Sequence, residues 1–180
     1  MLVLCLGGAR SGKSTFALER AIDHERRTGE AITFVATSPR IAGDHDLESR
    51  IAAHQAERPA TWATVEEPLD LVGALERCGH AFTVVDCLTL WVSNLMWRGD
   101  RDDEVTDLAA AAARTAAERT ATTFVISNEV GLGVHPTTDE GRRYRDLLGR
   151  VNQIWVAAAD RSLFLVAGRA LPLHDPVSLL

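Results

Sequence analysis

The sequence predicts a single α/β domain, a mainly parallel sheet covered by helices on both faces. Three observations predict it. Short apolar runs such as MLVLCL, AITFVA and FTVV alternate with stretches of helical spacing, the pattern of parallel strands joined by crossover helices. The first run passes directly into GGARSGKS and then into the helical STFALERA, a strand–loop–helix unit. The chain has 180 residues, of which 46% are hydrophobic, enough for one full core. No repeat, low-complexity linker or second domain is visible, so residues 1–180 are read as one domain.

Each element follows from local pattern. Met1 to Leu6 is uniformly apolar, which suits a strand buried on both faces. Ser14 to Ala21 spaces Phe16, Ala17, Leu18 and Ala21 as a helix does. Ala31 to Ala36 is the second strand, followed by the turn Thr37-Ser38-Pro39. Asp44 to Glu57 is helical and Arg58-Pro59 ends it. Thr61 to Val65 (TWATV) is a third, short strand, and Leu69 to Arg77 a helix. Phe82 to Val85 is a buried strand ending in Asp86. Leu88 to Trp97 begins a helix with Leu90, Leu95 and Trp97 on its apolar face. Arg98 to Asp107 (RGDRDDEVTD) is a charged surface connection, and Leu108 to Ala121 an Ala-rich helix. Thr123 to Ser127 is the fifth strand, leading into NEVGLG at 128–133. Glu140 to Ala159 is one long helix and Ser162 to Ala167 a last strand. The tail, carrying Pro172 and Pro176, is expected to be extended.

The most informative stretch is Gly7 to Ser14, which satisfies G-x-x-x-x-G-K-[ST] and holds the only lysine; every other basic position is one of eighteen arginines. Glycines let the backbone turn so that successive N–H groups point at one phosphate chain, and the helix N-terminus adds positive potential there. Lys13 suits the β/γ-phosphates because its ammonium is a compact charge on a flexible stem, where the planar guanidinium would be too bulky. The Ser14 hydroxyl is placed to hold Mg²⁺.

Ligands of such sheets bind at the carboxyl ends of the strands. Asp86, after an apolar run, is placed as an acid supporting Mg²⁺ directly or through water; an ordinary helix cap is the alternative. Thr37 and Ser38 offer hydroxyls to phosphate or ribose, or form a plain turn. Glu129 is a candidate for supporting its loop as a buried acid. Arg50, His54 and Arg58 recur every four residues and so stack on one helical face. Two guanidinium groups beside an imidazole offer an anion site and disfavour imidazolium, leaving His54 neutral and nucleophilic. A surface or packing histidine is the other reading.

Composition excludes several classes. The net charge of −6 disfavours a large nucleic-acid footprint. No apolar run approaches a membrane span, and no cleavable leader precedes the first strand, so a soluble cytoplasmic protein is expected. Cys5, Cys78 and Cys87 lie in or near apolar stretches with no metal-ligand spacing, as buried thiols do. A signalling GTPase would need a guanine-reading N-K-x-D, and no lysine follows Lys13. The residues alone therefore reach a phosphoryl- or nucleotidyl-transferring protein and no substrate.

With these stretches in view, the sequence resembles the bifunctional adenosylcobinamide kinase/adenosylcobinamide-phosphate guanylyltransferase family of cobalamin biosynthesis. Its landmarks are GGARSGKS (7–14), VATS (35–38), RIAAHQAERPATW (50–62), VVDCLTLWVSNL (84–95), NEVGLGVHP (128–136) and RDLLGRVNQ (145–153). The resemblance implies a P-loop, RecA-like sheet assembled as a homotrimer. It implies two activities, phosphorylation of adenosylcobinamide by ATP or GTP, then transfer of GMP from GTP to adenosylcobinamide phosphate through a guanylylated histidine. That histidine lies in R-I-x-x-H, here His54, with Lys13 the other catalytic residue. The implied nucleotide contacts are Gly7, Gly8, Ala9, Arg10, Ser11, Gly12, Lys13 and Ser14, then Ala36, Thr37 and Ser38. Gln55, Ala56, Glu57 and Arg58 follow, with acids at Glu66 and Asp86. Glu66 is the weaker transfer because Glu67 stands beside it. His135 departs from relatives with an apolar residue there, and residues 170–180 lack the basic ending of some members. A P-loop small-molecule kinase that uses His54 only for packing is the alternative.

Overall fold

The computed structural model describes residues 1–39, 49, 52 and 55–180. Seven strands form one sheet: β1 (Leu2–Gly7), β2 (Ile32–Ala36), β3 (Ala63–Glu66), β4 (Phe82–Asp86), β5 (Thr123–Ile126), β6 (Arg161–Val166) and β7 (Arg169–Pro172). Their order is β3-β2-β4-β5-β1-β6-β7, with every pairing parallel except the terminal β6–β7 hairpin. The helices are α1 (Lys13–Thr28), α2 (Leu71–Arg77), α3 (Leu88–Arg98), α4 (Asp102–Glu118) and α5 (Asp139–Ala158). Within the helix expected over 44–57, Ser49, Ala52, Gln55 and Ala56 are helical. Arg50 and His54 lie outside the described residues.

The central strands read as continuous apolar runs because both faces are covered. Successive side chains alternate between the two faces. Leu2, Leu4, Leu6, Val35, Val85 and Val125 pack under α2, α3, α4 and α5. Val3, Cys5, Phe34, Val84 and Phe124 face α1, joined there by Trp62. The first face carries the larger core, centred on the fully enclosed Trp91, Leu95, Leu147 and Trp155. Trp62 Nε1 donates to Glu25 of α1 at 3.0 Å, fastening the segment before β3 to the second face.

Three expectations need correction. The charged stretch 98–107 is not wholly a connection, because α4 begins at Asp102. Asp102, Asp103 and Glu104 lie where helix N-termini favour acids, and Glu104 accepts from the Arg101 N–H at 2.8 Å. The buried stripe of α3 is Leu88, Trp91, Val92 and Leu95. Leu90 and Trp97, expected inside, are 38% and 74% exposed, because the i, i+3, i+4, i+7 series starts at Leu88. The tail is not simply extended: residues 169–172 turn back as β7, and a short 3₁₀ turn covers Pro176–Leu179.

Candidate nucleotide site

β1 ends in the glycine loop, and the loop's geometry explains its glycines. Gly7 has φ 150°, and a Cβ there would be driven into the Leu165 carbonyl of the neighbouring strand. Gly12, at φ 99°, is the N-cap of α1 and makes no side-chain cap, so the first-turn N–H groups are left for a ligand. Lys13 opens the helix, 6% exposed, with its ammonium donating to Gly8 O at 2.6 Å and reaching Ser11 Oγ at 3.3 Å. Burial pulls its pKa below the usual lysine value, against the opposing attraction of Asp86. Ala9 and Arg10 form the exposed lip of the loop, and Gly8 is half-buried.

One residue further, Ser14 Oγ donates to Asp86 Oδ2 at 3.0 Å. Asp86 ends β4, which is separated from β1 by β5, so the acid faces the loop across the central crevice. In register, Ala36 of β2 pairs with Asp86 on one side and with Glu66 on the other. One transverse row at the strand ends thus carries Glu66, Ala36 and Asp86. The adjacent Glu67 is committed elsewhere: its carboxylate accepts from Leu69 N and Asp70 N and pairs with Arg77 at 3.1 Å. Glu66, and not its neighbour, stands in the row with Ala36 and Asp86.

Thr37 does not present a hydroxyl to a ligand. It is fully enclosed, donates to Cys87 O at 2.7 Å and accepts from Cys87 N at 2.8 Å, stitching the ends of β2 and β4. Asn94 reinforces this, its amide donating to Thr37 O and Pro68 O at 2.8 and 3.0 Å. Ser38 is half-buried, and its hydroxyl reaches only Pro39 O at 3.5 Å among the described residues.

Gln55, Ala56 and Glu57 are exposed, whereas Arg58 turns inward. Its guanidinium lies 3.8 Å from the Phe34 ring centroid, a cation–π contact. Burial lowers the Arg58 pKa while Asp86 and Glu66 raise it, and its Nη1 is enclosed without a hydrogen-bond partner among the described residues. Phe34 escaped the sequence reading because a strand residue pairing with a loop arginine leaves no spacing signal. Glu129 supports its own loop: the backbone N–H donates to Gly7 O at 3.1 Å and the carboxylate accepts from Gly131 N at 2.7 Å. It is half-buried, not buried. His135 contacts Arg145 at 2.8 Å.

Fold and site together define a P-loop nucleotide-binding protein, and solved structures agree on the fold. The KaiC-like protein PH0186 of Pyrococcus horikoshii superimposes with TM-score 0.54 at 18% identity, over 91% of this chain and 69% of that one. A second solved structure, an ATPase domain, gives 0.51 at 12%, over 91% and 68%. The family model for cobinamide kinase / cobinamide phosphate guanyltransferase matches residues 3–173. The chain belongs to that family. It is 40% identical over 172 residues to the bifunctional adenosylcobalamin biosynthesis protein CobP of Pseudomonas aeruginosa, covering 94% of this chain and 95% of the relative. The Salmonella typhimurium protein CobU is 34% identical over 188 residues, covering 93% and 97%. Its Escherichia coli counterpart is 32% identical over 186 residues, with the same shares.

Proposed function

We propose that this protein is a bifunctional enzyme that phosphorylates adenosylcobinamide and then transfers GMP from GTP to the resulting phosphate. What carries this reading is the meeting of Lys13, Ser14 and Asp86 at one crevice in a chain that the family model matches over residues 3–173.

In the first step the acceptor's hydroxyl oxygen attacks the γ-phosphorus of ATP or GTP. A P–O bond forms, the bond to the β,γ-bridging oxygen breaks, and the nucleoside diphosphate leaves while the hydroxyl loses its proton. Lys13 and the loop N–H groups balance charge on the transferring group. Ser14 and Asp86 supply a hydroxyl and a carboxylate in contact, hard oxygen donors of the kind Mg²⁺ takes when it keeps several waters. When bound, Mg²⁺ supplies charge neutralisation at the phosphate oxygens.

In the second step a neutral His54 nitrogen attacks the α-phosphorus of GTP, pyrophosphate leaves, and a phosphoramidate forms. A phosphate oxygen of adenosylcobinamide phosphate then attacks that phosphorus. The P–N bond breaks, giving adenosyl-GDP-cobinamide and free histidine. The R-I-x-x-H match supports this assignment. Arg58, Glu66, Ala36 and Ser38 complete the proposed nucleotide contacts, together with Thr37 through its backbone and with Gln55, Ala56 and Glu57. A homotrimer, a cytoplasmic location and no nucleic-acid partner belong to the same proposal. The net charge of −6 supports the last, and no described helix is long and apolar enough to cross a membrane.

The test is turnover with adenosylcobinamide, Mg²⁺ and GTP, with products separated chromatographically. Both the phosphate and the GDP derivative are expected. Accumulation of the phosphate alone, with GTP in excess, sinks the second activity.

A further inference from the structure

The C-terminal hairpin touches the phosphate-binding loop. β6 runs beside β1 as far as the pairing of Leu165 with Gly7, and Val166 then pairs with Arg169 across a two-residue turn. Ala167 and Gly168 take φ 49° and 73°, positive at both central positions as a type I′ turn requires. That turn does not end in solvent. The Gly168 N–H donates to Ser11 O at 2.9 Å, and a Cβ on Gly12 would stand 3.2 Å from the Gly168 Cα.

We infer that the β6–β7 turn is a positioning element of the nucleotide site, with the Gly168 N–H holding the Ser11 carbonyl so that the Gly12 N–H of the same peptide faces the phosphates. The inference rests on the nucleotide-binding reading of the site. In a trans peptide the C=O and the following N–H point to opposite sides. Drawing the Ser11 carbonyl out towards the hairpin therefore turns the Gly12 N–H inwards, where the uncapped N-terminus of α1 begins. On its other flank the loop is held by the Glu129 N–H on Gly7 O. The two contacts fix the start and the end of the loop from neighbouring strands on either side of β1.

The residue types fit this role. Gly168 lies in open space, with nothing within 4 Å of a built Cβ, so crowding does not call for a glycine there. Its backbone conformation does, because a branched side chain at φ 73° is strained. Ala167 carries the strain of a non-glycine residue in the same region. Asparagine there would form the Asn-Gly pair that type I′ turns prefer.

The test compares full-length wild type, Gly168→Val and Ala167→Asn for dissociation constants of GTP and of guanosine, with Tm measured in parallel. Guanosine has no phosphates, so a lost loop donor affects GTP alone. Gly168→Val is expected to weaken GTP by about tenfold, the scale of a hydrogen bond to a charged group, and to leave guanosine unchanged. Ala167→Asn is expected to hold or tighten GTP. Wild-type GTP affinity in a folded Gly168→Val protein overturns the inference, as does equal loss for both ligands, which marks a merely structural turn. Amide exchange on the wild type covers the case in which Gly168→Val does not fold. Added GTP should raise protection of the Gly168 amide, and unchanged protection counts against the inference. A wild type that binds no GTP refutes the nucleotide reading itself and is thereby distinguished.

Discussion

Ser14 and Asp86, 72 positions apart in sequence, meet at 3.0 Å with the hydroxyl donating to the carboxylate. The contact spans two strand spacings, because β5 lies between the strand that launches the loop and the strand that ends in the acid. At about 4.8 Å per spacing, the ends of the two strands stand roughly 10 Å apart, and the first turn of α1, which carries Ser14, closes that distance. Hydroxyl and carboxylate are therefore brought together before any cation arrives.

Asp86→Asn should keep the contact with Ser14 and remove the charge. The Mg²⁺-dependent rate of adenosylcobinamide phosphorylation is expected to fall by about a hundredfold, with Tm within a few degrees of wild type. A variant whose rate and Mg²⁺ concentration dependence match wild type would reduce Asp86 to a structural partner of Ser14; it is not the helix cap, which is Cys87.

Lys13→Ala removes the buried ammonium of the loop. Phosphoryl transfer should drop by two to three orders of magnitude, on the order seen when a charge-stabilising donor is deleted, and GTP should bind more weakly. Single-turnover kinetics with γ-labelled GTP measure this. Near-normal rates in folded protein are incompatible with the loop's assigned role.

His54→Asn separates the two activities. Wild type mixed with α-labelled GTP and Mg²⁺ should retain label through denaturation, with the P–N bond lost in acid and stable in alkali; γ-label should not be retained. The variant should lose the adduct and guanylyl transfer while keeping cobinamide phosphorylation within a few-fold of wild type. An acid-labile adduct on His54→Asn, or adenosyl-GDP-cobinamide made by wild type without one, would falsify the covalent route.

The cysteines should be inert. Cys5, Cys78 and Cys87 are buried, and burial pushes the Cys5 and Cys87 thiols up to about 12. The thiolate is the reactive form, so a thiol-specific alkylating reagent at neutral pH should modify none of the three in native protein and all three in denaturant. Rapid labelling of the native state, read by mass spectrometry, would show that the core opens.

Strands β1 to β6 were legible as short, mostly apolar runs, and the loop because its spacing is dictated by phosphate geometry. The position of Asp86 at the end of β4 was readable from FTVV. What escaped the sequence depended on contacts between distant segments. Nothing local distinguishes Glu66 from Glu67; only the register with Ala36, and the capture of Glu67 by Leu69, Asp70 and Arg77, separates them. Thr37, after a strand, could be read as a ligand donor or as part of a plain turn, and the choice falls to Cys87, whose backbone engages its hydroxyl as donor and acceptor. The apolar face of α3 was misplaced because Leu90 and Trp97 are large and apolar and sit at a plausible spacing, whereas the sheet meets the stripe beginning at Leu88. The β7 strand was missed because two prolines suggested an open tail. Pro172 nonetheless ends β7 at the sheet edge, where a missing N–H is tolerated.

β1 lies between β5 and β6, and this placement sets when the protein can begin to work. The strand, residues 2–7, is made well before its partners, residues 123–126 and 161–166. At ribosomal speeds of roughly 5–20 residues per second, the interval is on the order of ten seconds or more. For that time the apolar LVLCLG has neither flanking strand to pair with, in a topology dominated by contacts between distant segments, which is slow to close. A newly made chain thus carries its phosphate-gripping sequence long before the two strands that complete the grip have been made. A nascent-chain binder that shields residues 2–7 would protect the strand while it lacks both neighbours.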